Sequence, residues 1–268
     1  MSEELRTDGR RPLETRRMRG TCGYGLSAST WSANGPDGVA FFAMGGTRAL
    51  AEVFGPGRLI DRRSERSERG VVHAFFATAA FAGSDRRKRS RFDRIENEAE
   101  KSLVQSLEAA VLLDRIPRSV VSVRVSVLQS DGSARACALN AASLALLDAG
   151  VPVRGIPAAC GACFAHHREL LDPCGAEAAA ANPELTVCSI PHFSLLTGNT
   201  DSATDESCDS QHPILLVGAH MTGRSSHTLY EQLQQSALRG CVEAARTIRR
   251  AALSRMETLH STAAFHSS

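Results

Sequence analysis

The stretch SVVSVRVSVLQSDGSARACALNAASLALLDAG, residues 119–150, decides the fold. Its first eleven residues alternate, with Val121, Val123, Val125 and Val127 on one side and Ser122, Arg124 and Ser126 on the other. A period of two marks a half-buried strand. The alternation stops at a turn containing Asp131 and Gly132. From about 134 to 149 small residues dominate until Gly150 and Pro152. That run predicts a helix whose alanines let a sheet or second helix approach closely. Asp131, Ser133 and Arg135 surround the glycine where this helix begins. A helix start turns unpaired N–H groups toward solvent and attracts anions such as phosphate.

Working outward, Ile95, Ala99, Leu103, Leu107, Ala110 and Val111 recur at helical spacing and predict an amphipathic helix over 94–113. Before it, VVHAFFATAAF (71–81) reads as a strand, while GVAFFAMGG and TRALAEVFGPG read as two strands joined at Gly45 and Gly46. After the central helix, strands are expected around 157–165 and 185–193. A Ser/Asp/Thr-rich segment, 198–211, then precedes PILLVGAHM. Tyr230, Leu233, Ala237, Cys241, Ala244, Ala245, Ile248 and Ala252 share one face of a terminal helix. Strands followed by a helix occur twice with no clear linker, so the class is α+β and the halves pack as one unit.

Composition narrows the functional classes little. Of 268 residues, 43% are hydrophobic and 22% charged, ordinary values for a globular chain with a sizeable core. The formal net charge of +2 says less than its distribution, because basic residues gather in the first 20 positions, in 58–69 and in 86–94. No apolar run approaches a membrane span, and the start lacks the apolar stretch of a secretory signal, so no membrane association is expected. Eight scattered cysteines fit a reducing compartment. The CGAC of Cys160–Cys163 lies in an Ala/Gly-rich run without a second CxxC. His166 and His167 make no zinc spacing, so these residues read as core and no metal or cofactor is expected.

Taken in order, TDGRRPLETRRMR, GGTRALAEVFGPG, FAGSDRRKRS, the long segment from Glu98 to Val153 and LLDPCGAEAAAANPELTVCSIP resemble the RNase PH-like subunits of the RNA exosome core. The resemblance covers roughly residues 5–197. It implies an RNase PH-like (ribosomal protein S5 domain 2-like) fold of two βαβα-like halves whose sheets enclose helices. The division it suggests is a basic leader, 1–20, and a domain, 21–268, carrying the polar insertion 198–211. It further implies a six-membered heteromeric ring of RNase PH-like subunits with cap subunits, threading single-stranded RNA in the nucleus, nucleolus and cytoplasm.

Active members of that family use inorganic phosphate to attack the 3′-terminal phosphodiester. Nucleophile and target are both anions, so the site needs a cationic, hydrogen-bonding cradle and an acid near the leaving oxygen; bound magnesium is often implied. The resemblance places three departures here. A Gly–Ser/Thr–Arg sequence is replaced by Ser133, Ala134 and Arg135, with the hydroxyl one residue early. The acidic position, seven residues before Pro191, is Glu184 rather than aspartate, next to Pro183. An adjacent pair of arginines is reduced to Arg94 followed by Ile95.

With Ile95, Ala134 and Glu184 degenerate, the expectation is a non-catalytic subunit of the Mtr3 type, with Ser133 and Arg135 as a residual phosphate contact. RNA contact is assigned to Arg86, Arg87, Lys88, Arg89, Arg91 and Arg94. Arg10 and Asp8 are expected to fix the N-terminus. With one Trp and two Tyr, no stacking platform for bases is expected. The enzymatic alternative is phosphorolysis using Arg94, Ser133, Arg135 and Glu184; an isolated dimeric RNA-binding module is the third.

Overall fold

The strand at the centre of this reading, β5 (Ser119–Gln129), lies between two others, and its valines explain why. Val121, Val123, Val125 and Val127 are each at most 1% exposed. On the opposite face, Arg124 stacks its guanidinium 4.9 Å from the Phe54 ring. The structure is a computed structural model that describes residues 6, 8–23, 35–58, 68–83, 86, 93–165, 168–180, 183–192, 196 and 214–266.

A five-stranded sheet orders β1 (Met18–Cys22), β2 (Gly38–Met44), β3 (Thr47–Arg58), β5 and β4 (Val71–Thr78) as β1-β2-β3-β5-β4. β2 and β3 form a hairpin in which Met44 faces Thr47. Gly45 takes φ 57° in its turn, a conformation that costs glycine no steric penalty. β4 runs parallel to β5, and helix α1 (Arg94–Ala110) makes the crossover between them. Asp93 caps α1 by accepting the Ile95 amide at 3.0 Å. The helix stops at Ala110 rather than at 113. Val111 bridges to Val153 instead, and Leu113–Arg115 form a short 3-10 turn before Pro117.

The second sheet orders β7 (Arg168–Leu171), β6 (Ala158–Ala165), β8 (Glu184–Ile190) and β9 (Leu215–Thr222) as β7-β6-β8-β9. Helix α2 (Ala134–Asp148) lies between the sheets, packing on β2 and β3 from one and β6 from the other. Eleven consecutive residues, Ala136 to Leu146, are buried, which is why the segment is small and apolar on every side. Asn140, wholly buried, is satisfied by the backbone of Ala159: its amide nitrogen donates to the carbonyl at 2.9 Å, and its oxygen accepts the N–H at 2.8 Å.

A short helix, α3 (Gly175–Ala180), precedes β8. The terminal helix α4 (His227–His266) lays Leu233, Ala237, Cys241, Ala244, Ala245 and Ile248 against the second sheet and α2, all fully buried. Cys160 and Cys163 are likewise fully buried in β6, where loss of water pushes both thiols up. No helix among the described residues is long and apolar enough to cross a membrane.

The basic leader enters the fold. β1 begins at Met18, so a division at residue 20 falls within a strand. Arg16 is 6% exposed and meets Asp172, which is 0% exposed, at 2.8 Å. Arg10 donates to Asp8 at 2.6 Å and to the Asp172 carbonyl at 3.3 Å. Arg6 pairs with Glu177 and donates to the Leu171 carbonyl at 2.7 Å. The insertion at 198–211 lies outside the described residues.

Candidate active site

The turn from β5 into α2 is pinned by hydrogen bonds, and these orient the first residues of the helix. The Thr47 hydroxyl donates to the Gly132 carbonyl at 2.6 Å and accepts the Asp131 amide at 3.0 Å. Gly132 sits at φ 79°, and a side chain there would collide with the Pro173 carbonyl. The Asp131 carboxylate accepts the Gly175 amide at 3.0 Å, so this acid is used structurally. Ser133 takes the left-handed conformation, φ 49°, and its hydroxyl turns inward to the Pro173 carbonyl at 3.5 Å. The hydroxyl that sequence offered to phosphate is therefore not brought to the surface of the helix start.

Arg135, two residues further, reaches a cleft between α1, α2 and the second sheet, lined also by Leu103, Leu139, Thr186 and His220. One of its guanidinium nitrogens lies 2.6 Å from Nδ1 and 2.7 Å from Nε2 of His220. His220 stands on β9 opposite Thr186 of β8, and Glu184 begins the same strand two residues before Thr186. Alternation places Glu184 and Thr186 on one face. Burial pushes the Glu184 carboxyl above the usual carboxylate range, while the charge of Arg135 pulls it back. Across the cleft, Arg94 contacts Glu98 at 3.0 Å, one helical turn away. Glu98 is lowered first by its hydrogen bond from Arg94, and the charges of Arg135 and His220 act the same way.

The charge of Arg135 thus reaches Glu184 and Glu98, His220 lies against Arg135, and the exposed Arg94 joins the group only through Glu98. Ile95 is 58% exposed and adds no polar atom, and Ala134 supplies no hydroxyl. Arg86 is exposed; Arg87, Lys88, Arg89 and Arg91 lie outside the described residues. Sequence reasoning missed His220 because a single histidine in LLVGAHMT carries no motif. The available signal was its place on the same strand face as Gly218. Among the described residues no three His, Cys, Asp or Glu side chains gather as a metal site. Glu98 and Glu184 both feel the Arg135 charge, and no chemical step is assigned to a metal ion.

Such a cleft can offset the charge of an anion with Arg135 and set beside it a carboxyl whose burial raises its affinity for a proton. A family model described as "3′ exoribonuclease family, domain 1" matches residues 15–152. The chain belongs to this RNase PH family. Among relatives, the mouse exosome complex component RRP41 is 35% identical over 230 residues, covering 84% of this chain and 89% of that protein. The Arabidopsis thaliana RRP41 homolog is 37% identical over 191 residues, covering 70% and 75%. The archaeal Rrp41 of Cenarchaeum symbiosum is 34% identical over 193 residues, covering 72% and 76%. In fold, rice Rrp46 superposes with a TM-score of 0.71 at 22% identity, covering 92% of this chain and all of that one.

Family membership confirms the RNase PH-like α+β fold and overturns the expectation of a non-enzyme. The matched family is one of exoribonucleases, and the relatives carry the name Rrp41. The physical reason for the mistake is visible in the cleft. Ala134 and Ile95 each lack a polar contact, but attraction for an anion rests mainly on charge, and both Arg94 and Arg135 persist. The acid persists too, at the start of the strand where burial keeps it protonatable.

Proposed function

We propose that this chain is a phosphate-dependent 3′→5′ exoribonuclease subunit of an exosome-type ring. The observation that carries the reading is that the Arg135 guanidinium acts on the half-buried Glu184 carboxyl, with Arg94 held nearby through Glu98, in a chain similar to Rrp41 components of mammals, a plant and an archaeon. That naming favours an Rrp41-type position in the ring over an Mtr3-type one.

The chemistry rests on these side chains. An oxygen of inorganic phosphate forms a bond to the terminal phosphorus of the RNA. The bond from that phosphorus to the preceding nucleotide's 3′-oxygen breaks, and a nucleoside 5′-diphosphate leaves. Arg135 and Arg94 offset the repulsion between attacking and attacked anions. The leaving 3′-oxygen needs a proton, and Glu184, held toward its protonated form by burial, supplies it. Partners under this reading are other RNase PH-like subunits in a six-membered ring, cap subunits and single-stranded RNA. A structure of the Archaeoglobus fulgidus exosome with RNA bound to the active site, TM-score 0.66 at 19% identity, has the same fold. Placement in nucleus, nucleolus and cytoplasm belongs to the same proposal.

The test is degradation of 3′-extended single-stranded RNA by the chain with its co-purifying partner, with and without phosphate. Nucleoside diphosphates released only with phosphate are expected. Nucleoside monophosphates, or no release from a ring-sized complex that retains RNA, would overturn the reading.

A further inference from the structure

His220 is the titratable group of the cleft that the acid-and-anion scheme leaves without a task. Its ring lies against Arg135, with one guanidinium nitrogen 2.6 and 2.7 Å from its two nitrogens. A nitrogen nearly equidistant from both ring nitrogens lies over the ring and in line with neither lone pair, and a guanidinium, which carries charge and donors only, favours an uncharged ring in so close a contact. A doubly protonated ring would offer no lone pair and would set a second positive charge against the first. The charged groups acting on it are Arg135 from α2 and Glu98 from α1, itself shared with Arg94, while Glu184 of β8 stands two residues from its strand partner Thr186. Phe76 from β4 brings no charge. Burial and then Arg135 lower the histidine's affinity for a proton, with Glu98 opposing them. Burial and the contact with Arg135 therefore favour the neutral form of His220.

A dianion beside Arg135 reverses that balance. It draws the guanidinium off the ring into a charge-assisted bond and places negative charge where a proton on the ring is welcome. We propose that His220 takes up a proton when a phosphate dianion enters the cleft, so that anion binding and proton binding are linked at this residue. The inference rests on the phosphate site proposed above. It gives the site a third cation that exists only while the anion is present. Linkage is reciprocal, so affinity for the dianion rises as pH falls through the histidine range.

Phosphate changes its own protonation near neutral pH, so sulfate, a dianion throughout, is the probe. Calorimetric titration of the full chain with sulfate near pH 7, in two buffers of different ionisation enthalpy, counts the protons exchanged. Uptake approaching one proton per sulfate is expected in the native chain and in Glu184→Gln. It should vanish in His220→Gln, whose weakened binding no longer varies with pH. Affinity of the native chain should rise by up to about tenfold per pH unit. On the native chain, sulfate should also shift one imidazole resonance toward its protonated position, a signal absent from His220→Gln. Binding without proton uptake, or uptake that survives His220→Gln or disappears in Glu184→Gln, overturns the role of His220 while the phosphate site stands. Failure of the native chain to bind sulfate at any pH removes the phosphate site and this inference together.

Discussion

Two groups of charged residues meet the turn between β5 and α2, and they are built on opposite plans. On one side Arg16 is saturated. Its backbone N–H and Nε each donate to Asp172 Oδ2 at 3.0 Å, a terminal nitrogen reaches Oδ1 at 2.8 Å, and the remaining donors take the carbonyls of Asp131 and Gly132. On the other side Arg135 meets a histidine, a weak partner that an anion can replace, and its neighbours Glu98 and Glu184 feel its charge. The saturated arginine fixes the backbone; the under-bonded one three residues beyond Gly132 faces the cleft. Residue type does not separate structural from binding arginines. The number of donors already spent does.

The sharpest way to break this contrast is to remove Arg16. Arg16→Ala leaves Asp172 buried without its counter-charge, and breaking such a pair costs about 3–5 kcal/mol. Chemical denaturation of the full chain should show a loss of that size. A loss within the range of surface changes, under about 0.5 kcal/mol, would mean that Asp172 finds other partners and that saturation was the wrong criterion.

The cleft should respond in the opposite sense. Glu184→Gln removes the acid, and loss of a general acid lowers turnover by about 10²–10⁴-fold. Because burial already opposes its ionised form, the variant should unfold at a denaturant concentration no lower than the native chain. Phosphate-dependent turnover and denaturation, measured on the same preparation, check both halves. An active variant, or one that is inactive only because it has lost stability, would move Glu184 to the structural side of the comparison.

Much of this frame is legible in the residues alone. The valine alternation of 119–129 locates β5, and the small-residue run locates α2, because both sides of that helix touch sheets and leave no room for larger residues. Glu184 is singled out by the family resemblance, counted back from Pro191, and not by any pattern in the residues themselves. What stays hidden depends on contacts across long stretches of chain. Arg16 stands in a basic leader whose residues name no partner, and its partner lies 156 residues away. β1 and the four-residue β7 escape notice because neither pattern is long enough to outweigh charge. His220 gains meaning only after β9 pairs with β8 and the helices close over both. The losses of hydroxyl and guanidinium at Ala134 and Ile95 are real, yet the charges of Arg94, Arg135 and Glu184 survive beside them.

Acid separates the two groups more gently. Desolvation opposes ionisation of Glu177, but hydrogen bonds from Arg6 and the Cys174 N–H outweigh it and hold the carboxyl at about 2. Its folded pKa is depressed from 4.5, so the stability it contributes is present above that value and is lost as pH falls from there toward 2. Glu184 is shifted upward, so protonation there relieves burial as pH falls. Between about pH 5 and 2, stability of the native chain should fall more steeply than that of Glu177→Gln. Parallel curves would show that the Arg6 contact adds nothing.

The smallest effect tests whether the open group reaches RNA at all. The Arg94 side chain is 91% exposed, and its contact with Glu98 is an i,i+4 helix pair, worth about 0.2–0.5 kcal/mol. Arg94→Ala should therefore leave stability nearly unchanged. If its guanidinium neutralises an RNA phosphate, binding falls a few-fold at low salt and the loss fades as salt rises. For one contact to a single strand, the slope of log affinity against log salt should flatten by about 0.7. Measuring RNA affinity for native and Arg94→Ala complexes over several salt concentrations gives that slope directly. An unchanged slope would make Arg94 a solvated helix residue tethered by Glu98, and the open cluster would then end at Arg135, one side chain short of the substrate path.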